Sequence, residues 1–284
     1  MSIKEENILS LAEELNIPPE VRSLLTLSPD IPIAALASPE TAETAWKETT
    51  ALLPAWEDDN GMAQLTAVLA AACKTRKLYR RTGISDEIFL STMGCLPRFL
   101  AETKAITGRW AFDRGFWTWR QTGCLLFRLG ELEYEYAPAE REPCSRIQPG
   151  DPVLHVHIPS DAVLTRERLD ASYAHARRFY SAEGAPFCKN GLPKAMVCDS
   201  WLLSPALDEL LPETSGIRQF AGDYERIRIS GEDTDFYRWL FRKAAPVPLP
   251  ELPEDTSLQR AVKARLAAGG KIGSAWGVLR EEKG

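Results

Sequence analysis

The chain lacks the residues that mark several special classes of protein. Of its 284 residues, only 3 are histidine and 6 are cysteine. The cysteines stand singly, with no CxxC pair and no cysteine–histidine spacing of a zinc site. We therefore predict reduced thiols and no bound metal, as in a protein of the cytoplasm.

The chain also lacks an excess of positive charge and any long apolar run. It carries 34 Lys and Arg against 40 Asp and Glu, a net charge of -6, without the basic patch that nucleic-acid binding requires. No uninterrupted apolar segment approaches the ~18 residues that span a bilayer, and the first residues lack the apolar core of a secretion signal. We predict a cytoplasmic protein with neither nucleic acid nor a membrane as partner.

What remains is the composition of an ordinary globular protein, 44% hydrophobic and 26% charged. The chain is long for a single core and has room for two domains. We predict a helical N-terminal domain over residues 1–108 and a mixed domain over 109–245. Residues 246–284 read as a proline-rich spacer and a C-terminal helix that packs on the body.

The N-terminal part shows helical patterns throughout. Ser38 followed by Pro39 predicts a helix start, with the helix running to about Leu53. An Ala- and Leu-rich helix is predicted from 61 to 81. Ser85 opens the next helix, which we expect to be kinked near a glycine and a proline.

Strand patterns begin at Gly123. Two extended arms run from Gly123 to Tyr136 and are joined at Gly130-Glu131. In the second arm Leu132, Tyr134 and Tyr136 alternate with glutamates, which predicts a strand with one buried face and one wet face.

Three more strands are predicted farther along the chain, at 153–158, 194–199 and 224–229. Tyr224, Arg226 and Arg228 fall on one face of the last strand if it alternates regularly. The strand at 153–158 is followed by a helix with Thr165 as its N-cap. A helix over 235–242 is predicted to turn four large side chains inward, Trp239 among them.

Two histidines are the first candidates for chemistry. His155 and His157 stand two residues apart on one strand, so both project from the same face. An imidazole beside a cleft can act as a general base because its pKa lies near neutrality. The alternatives are a neutral histidine satisfied within the sheet and a metal ligand, which would need further donors from elsewhere.

Asp199 ends a strand just before a helix, the position where open sheets place ligands. Its carboxylate can accept a proton from a substrate amine or orient a histidine, or it can simply form a turn. Ser200 has no G-x-S-x-G context, which makes a hydrolase nucleophile improbable. At the helix start, Arg166 and Arg168 beside backbone N–H groups suit an anion such as a pyrophosphate.

Several short blocks of the chain carry a family resemblance. They are Cys124 to Glu135, Val156-His157-Ile158-Pro159, Ser200-Trp201-Leu202-Leu203-Ser204-Pro205, and the tail from Asp255 to Ala261 with Gly269-Gly270-Lys271. These blocks resemble segments of bacterial acyltransferase-domain proteins, which have a helical N-terminal domain and a GNAT-like C-terminal domain. The resemblance implies an α+β fold, with the helical domain packed on a GNAT-like mixed β-sheet with flanking helices.

The same resemblance implies an N-acyltransferase. The acyl donor would be acyl-CoA, such as acetyl-CoA, and the acceptor a small-molecule amine that the sequence does not identify. Three groups of residues take implied roles: His157, Asp199 and His155 in catalysis; Ile158, Ser160, Thr165, Arg166 and Arg168 in binding the cofactor; and Ser200, Trp201 and Tyr134 in binding the substrate.

One departure from the family pattern keeps a second interpretation open. GNAT enzymes bind pyrophosphate with a Q/R-x-x-G-x-G/A loop, whereas 159–164 contains no glycine and carries Asp161. The alternative is a non-catalytic GNAT-like module that binds a ligand or a protein and has lost CoA binding. A third interpretation is a metal-dependent hydrolase that uses His155, His157 and Asp199.

Overall fold

A computed structural model describes residues 5–25, 33–52, 58–139, 144, 146–181 and 187–280. The chain divides into two compact units, Met1–Leu129 and Gly130–Gly284. Residues 1–4, where the helical pattern of the N-terminal part begins, lie outside the described part. The three-part division at 108 and 245 stays a prediction.

The N-terminal unit is helical up to its last strand. Its elements are α1 Glu5–Glu14, α2 Pro19–Arg22, α3 Ile33–Leu36, α4 Ala42–Leu52, α5 Met62–Arg81, α6 Asp86–Met93, α7 Cys95–Thr107, α8 Gly115–Thr122 and β1 Leu126–Leu129. Helix α5 is the centre of this unit, because its Ala- and Leu-rich surface is buried over most of its length. Gly61 and Gly83 flank it with positive φ angles, which glycine adopts without steric cost.

Two helix predictions need correction in this unit, and one helix was not predicted. Helix α4 begins at Ala42 rather than after Ser38, because 38–41 forms a turn in which the Ala42 N–H donates to the Ser38 carbonyl (2.9 Å). The kinked helix is two helices, separated at Gly94. Helix α8 was not predicted from the sequence, because its aromatic residues are equally typical of a strand.

The chain forms one six-stranded sheet in the order β1-β2-β3-β4-β6-β5. Its remaining strands are β2 Leu132–Pro138, β3 Pro152–His157, β4 Met196–Ser200, β5 Tyr224–Ser230 and β6 Ser274–Leu279. β3 and β4 run parallel, whereas β2–β3, β4–β6 and β6–β5 are antiparallel. The sheet is therefore mixed, and the predicted α+β class is confirmed.

The helices of the C-terminal unit follow the strands. They are α9 Arg166–Phe179, α10 Pro205–Leu210, α11 Gly216–Gly222, α12 Phe236–Phe241 and α13 Ser257–Ala267. Helix α9 lies on one face of the sheet, with Leu169, Tyr173 and Ala176 buried. The Tyr180 hydroxyl after its end donates to the Tyr134 carbonyl (3.1 Å), which ties the helix to β2.

The central strand β6 is absent from the sequence predictions. It lies between β4 and β5, although it comes last in the chain. Its sequence, Ser-Ala-Trp-Gly-Val-Leu, is buried on both faces at all but the last position and so shows no alternation. Gly277 fits there because a Cβ would lie 3.0 Å from the Glu225 carbonyl oxygen.

Three predictions about faces are wrong. Glu133, placed on a wet face, is only 3% exposed. A bulge between Arg226 and Arg228 turns these two residues to opposite faces, because Arg226 pairs with Gly277 and Arg228 with Trp276. Trp239, predicted to point inward, is 42% exposed.

Within the part of the chain that the structure describes, no helix is both long enough and apolar enough to cross a membrane.

Candidate active site at the split of two parallel strands

The site lies where the parallel strands β3 and β4 stop pairing. Their register contains the pairs Leu154–Met196 and His155–Val197. Both strands then continue, β3 to His157 and β4 to Ser200. Their carboxyl ends therefore form a split at one edge of the sheet, the position where open sheets bind ligands.

Strand alternation gives the sheet two chemically different faces. On the α9 face lie Tyr134, Leu154, Val156, Met196 and Cys198. The opposite face, called here the ionisable face, carries Glu133, Glu135, His155, His157 and Asp199, and also Arg228 on β5. Every ionisable group predicted to act in catalysis is on this face.

The ionisable face is apolar where β3 and β4 begin. Residues from both strands, from β6 and from the segment after β2 form a cluster there: Ala139, Ile147, Val153, Val197, Trp276 and Val278. Loop residue Ile147 is completely buried. The charged groups thus lie beyond a packed base, at the open end of the two strands.

His157 contacts a carboxylate. Its Nε2 atom lies 3.0 Å from Oε2 of Glu135 on the neighbouring strand. The histidine side chain is 28% exposed and the glutamate side chain 12% exposed. A partly accessible imidazole held by a mostly buried carboxylate is an arrangement suited to proton transfer.

His155 is placed differently from His157. Its Nε2 atom lies 3.4 Å from the Pro138 carbonyl at the end of β2, and the residue is half-buried. In register it faces Glu135 on one side and Val197 on the other. It lies farther from the split than His157.

Asp199 lies at the split on β4. Its side chain is 42% exposed, and its Oδ2 atom is 3.9 Å from Nη2 of Arg228. Both residues pair in register with Trp276 of β6, so they flank that indole. Burial raises the pKa of Asp235, and the nearby charges of Asp233 and Asp199 raise it further.

The start of α9 is held by carboxylates. Arg166 donates to Asp223 (2.6 Å) and pairs with Asp170 (2.7 Å). Arg168 donates to Oε1 of Glu131 (2.7 Å), and the other oxygen of Glu131 accepts the Val163 N–H (2.9 Å). A carboxylate thus already binds the loop where the sequence suggested a pyrophosphate.

The other residues predicted to bind the cofactor lie beside this loop. Thr165 is the N-cap of α9, as predicted, although its side chain makes no capping hydrogen bond. Ile158 is half-buried and Ser160 is exposed, both between β3 and α9. Cofactor binding by these residues stays a prediction.

The residues predicted to bind substrate have structural contacts. The buried Tyr134 hydroxyl lies 3.0 Å from Ser172 Oγ on α9. Ser200 Oγ accepts the Leu202 N–H (3.1 Å), and Trp201 is buried in the turn that follows. Tyr134 faces away from the ionisable face, whereas Ser200 and Trp201 follow Asp199 directly. Their role in substrate binding stays a prediction.

Sequence reasoning missed Glu135, Glu131 and Trp276. The alternation in β2 places Glu135 on one face of that strand, and pairing β2 with β3 makes this the face of the two histidines. A sequence signal for Glu135 was therefore present. Trp276 gave no signal because its strand was not recognised. Among the described residues, no group of three or more His, Cys, Asp or Glu is arranged to hold a metal ion.

A split parallel pair in a mixed sheet, with a helix after the first strand of the pair, defines the GNAT-like class of fold. The model of the GNAT-like C-terminal domain matches residues 126–279, and that of the N-acyltransferase N-terminal domain matches residues 6–124. The chain belongs to the family that combines these two domains. No curated protein matches the chain.

Solved structures share the fold along almost the whole chain. An acyltransferase in complex with decanoyl-CoA and teicoplanin has a TM-score of 0.77 at 24% identity, covering 98% of this chain and 89% of that chain. An acyltransferase with CoA and 10C-teicoplanin gives 0.77 at 25% identity, with 98% and 88% covered. A mutant acyltransferase with octanoyl-CoA gives 0.77 at 24%, with 99% and 89% covered.

Proposed function

We propose that this protein transfers an acyl group from acyl-CoA to a small-molecule amine, with His157 as the general base. The observation that carries the proposal is the His157–Glu135 pair (3.0 Å) at the split between β3 and β4. The complexes of similar structures with CoA, decanoyl-CoA and octanoyl-CoA support acyl-CoA as the donor.

The split between β3 and β4 is suited to binding the acyl-CoA donor. Beyond His155 and Val197 the two backbones are no longer paired with each other, so their polar groups can bind the amide groups of a pantetheine arm. Arg166 and Arg168 lie in the first turn of α9, the helix that follows β3. We infer that they bind the phosphates, in competition with the carboxylates that they contact here.

The reaction is an acyl transfer between two substrates. The amine nitrogen forms a bond to the thioester carbonyl carbon, and the carbon–sulfur bond breaks. His157 takes the proton that the nitrogen loses, and the thiolate of CoA takes up a proton as it leaves. The products are an amide and free CoA, so atoms and charge balance.

Asp199 is proposed to bind the acceptor. Its side chain is more exposed than that of Glu135, and it lies at the split beside the strand of His157. A carboxylate there attracts an ammonium group before its deprotonation. The teicoplanin bound in two of the similar structures supports a small-molecule acceptor.

Two measurements on the full chain test the proposal. Isothermal titration with acetyl-CoA and decanoyl-CoA measures donor binding. Release of free CoA thiol measures transfer, with a panel of primary amines, amino sugars and teicoplanin as acceptors. We expect saturable donor binding and thiol release that depends on the amine. Loss of thiol release in His157→Gln, but not in His175→Gln on α9, supports the base assignment.

A second candidate function has its own observation. Because Glu131 already engages both the Val163 N–H and Arg168, the loop before α9 lacks an evident place for a phosphate. This favours a GNAT-like module that binds a ligand or protein without CoA. A Kd of about 1 mM corresponds to a binding free energy of only about -4 kcal/mol. If neither CoA thioester binds at that concentration, this second function replaces the transferase proposal.

A further inference from the structure

We propose that Glu135 is a positioning residue that fixes the tautomer and orientation of His157. The inference rests on the proposed function, since it concerns the same base. In it, the Nε2–H of His157 is donated to the Glu135 carboxylate, and the Nδ1 atom accepts the proton from the amine.

The hydrogen-bond chemistry determines the tautomer. An ionised carboxylate only accepts hydrogen bonds, so the imidazole nitrogen 3.0 Å from it must be the donor. A neutral imidazole carries one N–H and one lone pair, which leaves the lone pair on Nδ1. In catalytic sites of this kind, a further group generally orients the base and so fixes which of its nitrogens is protonated.

The sheet makes this contact rigid. β2 and β3 are antiparallel, with Glu133 opposite His157 and Glu135 opposite His155. Glu135 and His157 are therefore diagonal neighbours on one face, within reach of long side chains. Both residues belong to paired strands, so the backbone that carries the dyad has little freedom.

The burial of the two partners differs in the way a positioning role requires. Glu135 is 12% exposed and His157 is 28% exposed. The carboxylate is the less accessible partner, so it is the imidazole that can meet a substrate. A mostly buried carboxylate also acts more strongly, because water screens its charge less.

Nuclear magnetic resonance on the full chain tests the inference directly. The protein has 3 histidines, so selective ¹⁵N labelling of histidine gives three ring systems, and His157→Gln identifies the relevant one. At about pH 8 we expect a pyrrole-type Nε2 and a pyridine-type Nδ1 in the wild type. Because the amide of a Gln can accept or donate, Glu135→Gln should convert His157 from a single tautomer to a mixture of both and leave the rings of His155 and His175 unchanged.

Kinetics provides the second readout. We expect Glu135→Gln to lower kcat by about 100-fold, less than the ~10⁴-fold loss that follows when the buried aspartate of a catalytic triad loses its charge. The KM for decanoyl-CoA should stay constant. Glu135→Asp, which keeps a carboxylate, should recover part of kcat and the original tautomer. Glu225→Gln, an exposed carboxylate on β5 paired with Arg146, is the matched control.

The outcomes separate this inference from the proposed function. An unchanged His157 tautomer in Glu135→Gln overturns the positioning role, whether or not kcat falls. A changed tautomer with unchanged kcat overturns it as well. If no acceptor gives thiol release with the wild type, the proposed function fails, whereas the ring spectra still decide whether Glu135 controls His157.

Discussion

The two faces of the sheet are built from the same strands and have opposite properties. Cys198 and Asp199 are adjacent in β4, yet the first is buried against the α9 face and the second is 42% exposed on the ionisable face. In β3, Val156 and His157 divide in the same way. The pleat of a strand therefore lets one segment contribute to the core and to the chemistry at once.

Polar groups on the two faces are satisfied differently. On the α9 face Tyr134 and Ser172 bond to each other (3.0 Å), and Ser172 also accepts the Leu132 N–H (3.2 Å). On the ionisable face the groups are acids, bases and a guanidinium, and the side chains of His157, Asp199 and Arg228 are partly exposed. The first pattern fixes structure, whereas the second suits proton transfer and binding. Substitutions on the two faces should therefore separate stability from activity.

The largest effect is expected for His157→Gln on the ionisable face. Removal of the general base should lower kcat by roughly 10²–10⁴-fold, while the melting temperature changes little because the side chain is partly exposed. Thiol release with decanoyl-CoA and the best acceptor measures the rate. His175→Gln, which removes a histidine of α9, is the control. A His157→Gln enzyme with wild-type kcat would contradict the assignment of the ionisable face to catalysis.

Asp199→Asn should have a smaller and more specific effect. If Asp199 attracts the ammonium form of the acceptor, loss of its charge should raise the KM for the amine by about 10-fold, equivalent to one charge-assisted hydrogen bond. The KM for acyl-CoA should not change. Asp255→Asn, an exposed aspartate distant in sequence, controls for the loss of one negative charge. Equal changes in both KM values would argue against acceptor binding by Asp199.

Local patterns were sufficient to predict most of the sheet. The hairpin around Gly130, the strand of the two histidines and the N-cap at Thr165 all follow from alternation and capping, which act over a few residues. The strand β6 could not be found this way. Its residues are buried on both faces and so carry no alternating signal, and its pairing partners β4 and β5 are distant in sequence.

The candidate site was predictable only in part, because a site depends on register. The sequence identifies His157 and Asp199 as ionisable residues near strand ends. That they share a face, and that Glu135 reaches His157, follows only from the pairing of β2, β3 and β4. The bulge in β5 shows the same limit, since one extra residue turned Arg228 away from Arg226 and towards Asp199.

On the α9 face, Tyr134→Phe should reduce stability and leave activity intact. The change removes the buried hydrogen bond to Ser172 and should lower the free energy of unfolding by about 1–2 kcal/mol. Urea unfolding measures this loss. Thiol release should match the wild type, because Tyr134 faces α9. A raised KM with unchanged stability would instead support the predicted role of Tyr134 in substrate binding and break the division between the faces.

The smallest effect concerns the thiol of Cys198, which adjoins Asp199 in sequence. Burial raises the pKa of Cys198 well above its usual value, and the charge of Asp199 raises it further. At about pH 8 the thiolate is therefore scarce, and the sulfur is also inaccessible, so iodoacetamide should label Cys198 only after unfolding. Mass spectrometry of native and urea-treated protein checks this. Asp199→Asn should not make Cys198 reactive, because burial is the larger cause. Rapid labelling of Cys198 in native Asp199→Asn would show that the two faces are coupled through β4, and that the split opens far enough to expose the core side of the strand.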